Sequence, residues 1–172
     1  MDTSIADRVE IEALRGACTD AVMTRDYDRF AALFTADGAW RMPHVPIEIV
    51  GRAALREGVE RLQGFWEFFV QTVHPGVIEL AGDTATGRAY VAEFGRLRDG
   101  SSHSNYAIYH DRYVRTPDGW RFQERVYEVR YADAGPLTGE PGTAAVRVPA
   151  GVIAADTLLA AGRLARDAEN HD

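Results

Sequence analysis

The sequence predicts an α+β domain: three N-terminal helices packed on the concave face of a strongly curved, mixed but mainly antiparallel sheet, a cone-shaped barrel, with a C-terminal extension. Three observations predict it. Apolar residues recur at helical spacing through residue 69. From Gln71 the texture changes to four long runs rich in Val, Ile, Thr, Tyr and Phe. Gly82-Asp83, Asp99-Gly100 and Pro117-Asp118-Gly119 punctuate those runs as hairpin turns. Helices first and an antiparallel meander after them segregate the two element types, because helices can cover only one face of such a sheet. The 172 residues, 46% hydrophobic and 26% charged, suit one globular core and exclude disordered and fibrous classes.

In chain order, Ile5, Val9, Leu14, Cys18, Ala21 and Val22 predict one amphipathic helix over residues 5–23, with Thr3 or Ser4 as N-cap. Asp26 caps a short second helix whose stripe is Phe30, Leu33 and Phe34 and which Asp37-Gly38 ends. An extended piece over 39–42 and a loop, Pro43-His44-Val45-Pro46, lead to a third helix over 52–69, with Leu55, Val59, Leu62, Trp66 and Phe69 on its apolar face. Strands follow at about 71–81, 84–98, 103–115 and 119–131. Residues 1–134 make the cone domain. The Gly/Pro-rich remainder, 135–172, contains an Ala/Leu segment at 152–168 that suits a terminal helix, and reads as a lid, an oligomer arm or a loosely ordered end.

Composition narrows the chemistry. All 19 basic residues are arginine, against 26 acidic ones, for a formal net charge of -7. That charge argues against nucleic acid and anionic membrane as partners, and the absence of lysine excludes Schiff-base and P-loop lysine chemistry. A single thiol, Cys18, forms no internal disulfide, and no Cys/His cluster offers a tetrahedral zinc site, so neither metal nor cofactor is expected. The N-terminus carries no signal-peptide pattern and no run is long enough to span a bilayer, so the expectation is a reduced, cytoplasmic protein.

RDYDRFAALFTADGAW, TVHPGVIEL and YHDRYVRTPDGWRFQERVYEVRY, in this order of elements, resemble the SnoaL-like, scytalone-dehydratase-like branch of the nuclear-transport-factor-2-like superfamily, over about residues 5–132. The resemblance implies a cone-shaped pocket. Members include dehydratases, dehydrochlorinases, isomerases, polyketide cyclases, epoxide hydrolases and non-catalytic subunits, so the fold does not choose a reaction. It also implies that His74 is a pocket histidine acting as proton shuttle, for which imidazole is suited; the alternative is a core histidine bonded to backbone. The relatives' aspartate that orients this histidine falls on Met23, which cannot do so. Asp20, Asp26 and Asp28 are the nearby carboxylates, with structural roles as the alternative.

By the same resemblance Arg125 is a pocket arginine that stabilises developing negative charge, or else pairs with Glu93 or Glu124 across strands. Alternation places Arg125, Tyr127, Val129 and Tyr131 on one face, opposite Phe122, Glu124, Val126 and Glu128. It places Asn105, Ala107, Tyr109 and Asp111 together on the preceding strand. The relatives' substrate-binding serine and asparagine fall on Ala107 and Tyr109, so only Tyr109 can still hydrogen-bond substrate oxygen. Met23, Trp40, Met42, Trp66, Phe69 and Tyr127 are the expected substrate-binding surface, against a plain reading as core. His44, His103 and His171 read as solvated loop residues.

The sequence therefore points to a cofactor-free lyase, isomerase or cyclase acting by proton transfer on a small apolar, oxygen-bearing metabolite of polyketide or terpenoid type. The other reading is a non-catalytic ligand-binding or assembly module of the same fold, including the small subunit of a ring-hydroxylating oxygenase. Either form is expected to be a homodimer or higher homo-oligomer through the free sheet face.

Overall fold

The computed structural model describes residues 3–139; the expected terminal helix at 152–168 and His171 lie outside the described residues. Helix α1 spans Thr3–Met23, α2 Tyr27–Ala32 and α3 Arg52–Gly64. The strands are β1 Phe34–Met42, β2 Ile47–Val50, β3 Trp66–His74, β4 Ile78–Ala81, β5 Thr84–Leu97, β6 Ser102–Thr116 and β7 Gly119–Asp133. They form one curved, unclosed sheet in the order β2-β1-β7-β6-β5-β3, with β4 pairing β5 beside the end of β3. The β1/β7 pair is parallel and every other pair antiparallel. No helix among the described residues is long and apolar enough to cross a membrane.

The helix α1 buries Asp7, Ile11, Leu14, Arg15, Cys18, Ala21 and Val22, while the expected stripe members Ile5 and Val9 are exposed. Counting only apolar residues shifts the phase of the stripe, because two of its members are polar. Asp7 earns its place by accepting from Trp120 Nε1 at 3.2 Å and pairing with Arg115 at 2.7 Å, and Arg15 donates from Nε to the Tyr113 hydroxyl at 2.7 Å. Asp26 caps α2 as expected, accepting from the Arg29 N–H at 3.0 Å. Asp37-Gly38 does not end that helix. The pair lies inside β1 at a register shift, where a Cβ on Gly38 would stand 2.8 Å from that of Phe34.

The third helix also stops earlier than expected, at Gly64, and Trp66 and Phe69 stand on β3. Their i+3 and i+4 spacing continues the stripe of Leu55, Val59 and Leu62 in phase, but the aromatic, β-branched run from Trp66 to Val73 pairs with β5 instead. Pro75 and Gly76 then split the expected strand over 71–81 into β3 and β4. A Cβ on Gly76 would meet the Arg88 carbonyl oxygen at 1.9 Å, so only glycine allows this approach. The main core joins the helices to the base of the sheet through a continuous aromatic contact, Phe30–Phe34–Phe122–Tyr113, with ring centroids 5.2–5.3 Å apart.

Candidate functional site

Cross-strand partners define the inner face, the one the helices cover. From its base the rows run Gly87, Asp111, Arg125; then Ala89, Tyr109, Tyr127; then Val73, Val91, Ala107, Val129; then Gln71, Glu93, Asn105. Strand β7 holds its place in these rows only through an irregularity. Arg112 pairs with Glu124 but Tyr113 pairs with Phe122, so Gln123 is an extra residue. The bulge puts Phe122 on the same buried face as Arg125 and Tyr127, which corrects the strict alternation expected for this strand.

At the base, Arg125 is fully engaged. Its Nε donates to Asp111 Oδ1 at 2.8 Å, its Nη2 to Asp111 Oδ2 at 2.9 Å, and its Nη1 to Cys18 Sγ at 3.2 Å. The guanidinium lies 3.9 Å from the Tyr109 ring centroid and 4.1 Å from that of Phe122. Tyr113 donates to Asp111 Oδ2 at 2.7 Å, completing a chain that runs from Arg15 to Cys18. Burial alone would lower the Arg125 pKa; the Asp111 carboxylate, with Cys18 and Tyr109, holds it well above the ordinary value. Burial raises the Cys18 thiol, with Arg125 opposing. Arg125 thus pairs with Asp111, not with Glu93 or Glu124.

Higher on the same face is a second polar cluster that sequence reasoning missed. Glu93 accepts from the Tyr127 hydroxyl at 2.5 Å and from Gln71 Nε2 at 2.5 Å. Neither partner is charged, and no arginine or histidine among the described residues ion-pairs with Glu93. Burial and then the Glu93 carboxylate push the Tyr127 phenol far above its usual 10.0, with the Asn105 amide opposing; Tyr109 is raised by the same two leading causes. Both phenols therefore remain protonated. Asn105 is 9% exposed, and its Oδ1 has no hydrogen-bond partner.

Around this cluster the surface is apolar and half-buried. Met23, at the end of α1, receives the Gln71 backbone N–H on its sulfur at 3.1 Å. Met42 packs against both cores, and Val73 and Val129 edge the cluster around Tyr109 and Tyr127. The Trp66 ring lies tilted against Phe69 and His103, with centroids 5.1 and 6.1 Å away. His44, in the turn after β1, stands 5.8 Å from the Tyr127 ring. Both histidines, read from sequence as merely solvated, flank the inner face. Trp40 is instead a core residue, edge-on to Phe30 at 5.7 Å, and its Nε1 is buried without a partner.

His74 stands apart from all of these. Its neighbour Val73 faces inward, so His74 is exposed on the opposite face, paired in register with the exposed Tyr90 and lining a groove of about 640 Å³ with Tyr106, His110, Glu128 and Arg130. The expected inward-facing imidazole is thereby corrected. None of the nearby aspartates replaces the carboxylate missing at Met23: Asp20 pairs with Arg29, Asp26 caps α2, and Asp28 pairs with Arg56 at 2.7 Å.

Several solved structures share this architecture. A Novosphingobium aromaticivorans protein provisionally described as an aromatic ring hydroxylase is 26% identical over 74% of this chain and 91% of its own, with a TM-score of 0.70. A hexachlorocyclohexane dehydrochlorinase, LinA-type3, from Novosphingobium barchaimii LL02 is 22% identical over 80% of this chain and 94% of its own, with a TM-score of 0.71. A variant of Rv3472 from Mycobacterium tuberculosis, of unknown function, is 26% identical over 95% of this chain and 92% of its own, with a TM-score of 0.67. No curated protein matches the chain. The SnoaL-like domain family matches residues 3–126, which span α1 to the middle of β7 and include Glu93, Asn105 and Arg125. The chain belongs to the SnoaL-like domain family.

Proposed function

We propose that the inner face carries out cofactor-free proton transfer on a small apolar, oxygen-bearing molecule, in a dehydration, isomerisation or cyclisation. The observation that carries this reading is Glu93, a half-buried carboxylate held at 2.5 Å by two neutral donors and bordered by apolar side chains. An ionised carboxylate only accepts hydrogen bonds, so a fixed one beside a substrate C–H serves as general base. Gln71 and Tyr127 hold it in place. Met23, Met42, Trp66 and Phe69 would form the apolar wall, Tyr109 would support the substrate from below, and His44 at the rim would return a proton to a departing hydroxyl. Arg125 enters as a positioning residue: its charge is spent on Asp111, and its plane fixes the Tyr109 ring.

A probe reaction tests this. In 5-nitrobenzisoxazole a base takes the C3 proton, the C–H electron pair forms the nitrile, and the N–O bond breaks to leave a coloured phenolate. The native protein should exceed an equal concentration of acetate, and Glu93→Gln should lose about a hundredfold or more of that rate. Equal rates for the two proteins, with both folded by circular dichroism, would refute the proposal.

A second reading, a ligand-binding or assembly module such as the small subunit of a ring-hydroxylating oxygenase, draws on the inner face having no histidine–carboxylate pair among the described residues. The ring-hydroxylase description of one 26%-identical structure points the same way. It predicts co-purification with a larger iron-containing chain from the native source.

A further inference from the structure

The hydrogen-bond polarity of the Glu93 cluster goes further than the presence of a base, and selects its ligand. Tyr127 has one hydroxyl proton and gives it to Glu93 at 2.5 Å. Toward any other neighbour the phenol oxygen can therefore only accept, and the nearby Asn105 amide lowers the phenol's pKa, as a donor does, against the larger effects of burial and Glu93. The side of the Asn105 amide facing Tyr127 is then its NH2 group, which leaves Oδ1 turned away from the phenol. That oxygen is buried, belongs to a residue 9% exposed, and has no partner. In register, Asn105 stands directly opposite Glu93, whose own partner toward β3 is Gln71. The row thus presents an unpartnered amide oxygen beside a carboxylate, while the Tyr127 hydroxyl proton and one Gln71 amide proton are committed to Glu93.

The charge balance is equally one-sided. Arg125 is neutralised by Asp111, and Arg15 by Glu12 at 2.8 Å. Glu93 ion-pairs with no arginine or histidine among the described residues, so its carboxylate stands on the inner face without a counter-ion. An anionic ligand would face repulsion in a poorly solvated place. A ligand offering only acceptors would leave Oδ1 unmatched, whereas a hydroxyl would satisfy it.

We infer that this site is built for neutral hydroxyl compounds with an apolar body, phenols or alcohols, whose O–H donates to Asn105 Oδ1 or Glu93. The inference rests on the inner face being the ligand site, as proposed above, and adds the class of molecule and the specificity residue, Asn105.

Calorimetric titration with three probes of like shape tests it: 2-naphthol, 2-methoxynaphthalene and 2-naphthoate, at about pH 8, where free imidazole is neutral. The naphthol should bind about tenfold to a hundredfold more tightly than its methyl ether, the worth of one buried hydrogen bond to an otherwise unmatched acceptor. The naphthoate should bind most weakly. In Asn105→Leu the naphthol should lose most of its advantage while the ether binds as before. The probe comparison within the native protein needs no variant, so it holds even if Asn105→Leu folds poorly. Equal affinity of naphthol and ether, or tighter binding of naphthoate, overturns the inference while leaving a ligand site in place. Binding of none of the three overturns both the inference and the reading beneath it.

Discussion

Replacing Asp111 by Asn should be among the most damaging single changes in the molecule. Asp111 and Arg125 have side-chain exposures of 0% and 3%, and the carboxylate accepts two bonds from Arg125, at 2.8 and 2.9 Å, and one from Tyr113 at 2.7 Å. An amide of the same shape has one accepting oxygen, so at least one of these donors loses its partner and faces an NH2 group. The guanidinium meanwhile loses its anion. Breaking a buried pair from one side costs about 3–5 kcal/mol, a large part of the roughly 5–15 kcal/mol that a domain has in total. Urea unfolding followed by circular dichroism should show the midpoint falling by that amount with the slope unchanged. The companion variant, Asp111→Leu with Arg125→Met, removes both charges and should recover most of the loss. A loss below about 1 kcal/mol for Asp111→Asn would refute the claim that this carboxylate is the principal partner of Arg125.

Two further outcomes follow from individual contacts. A Cβ on Gly95 would stand 2.4 Å from the Phe68 carbonyl oxygen and 2.8 Å from the Trp66 ring, so Gly95→Ala should cost about 1–3 kcal/mol in urea unfolding and weaken 2-naphthol binding by displacing Trp66 from the rim. Asp7, held below its ordinary 3.8 first by its hydrogen bond to Arg115 and then by Trp120, stabilises the fold above its unfolded pKa, and that contribution is lost as pH falls through the lower folded value. Asp7→Asn should therefore lower the melting temperature near pH 7, and the gap from the native protein should close as pH drops below about 4. A gap that stays constant down to low pH would contradict the role given to Asp7.

The parts of the fold legible in the sequence were those set by local rules: the Asp26 cap, the glycine-marked turns and the alternation of β6, where Asn105, Ala107, Tyr109 and Asp111 share a buried face. Long-range pairing hid the rest. Had β6 and β7 paired without interruption from the Thr116–Gly119 turn, Arg125 would stand opposite His110, an outward residue; the extra residue at Gln123 moves it to Asp111. No propensity marks that bulge. The inward position of His74 rested on the resemblance, and alternation from an inward Trp66 would agree with it. The register shift between Trp66 and Phe68 breaks that alternation, so Trp66 lies beside Phe69 while Gln71 and Val73 face inward and His74 outward. Glu93 did carry a signal, an acid at the inward parity of Val91 in an otherwise apolar run, but it was weighed only as a partner for Arg125. His44 and His103 gave none, since their approach to Tyr127 and Trp66 depends on how the sheet curves.

The central claim is that ligand meets the inner face, beside Glu93 and Asn105, and not the outer groove beside His74. Titrating 2-naphthol into protein with labelled methionine methyls, while following the imidazole signals in the same sample, tests this directly. Ring-current shifts at the Met23 and Met42 methyls, with the His74 and His110 imidazoles unmoved, are the predicted result. Shifts at His74 and His110 with both methyls unmoved would contradict it.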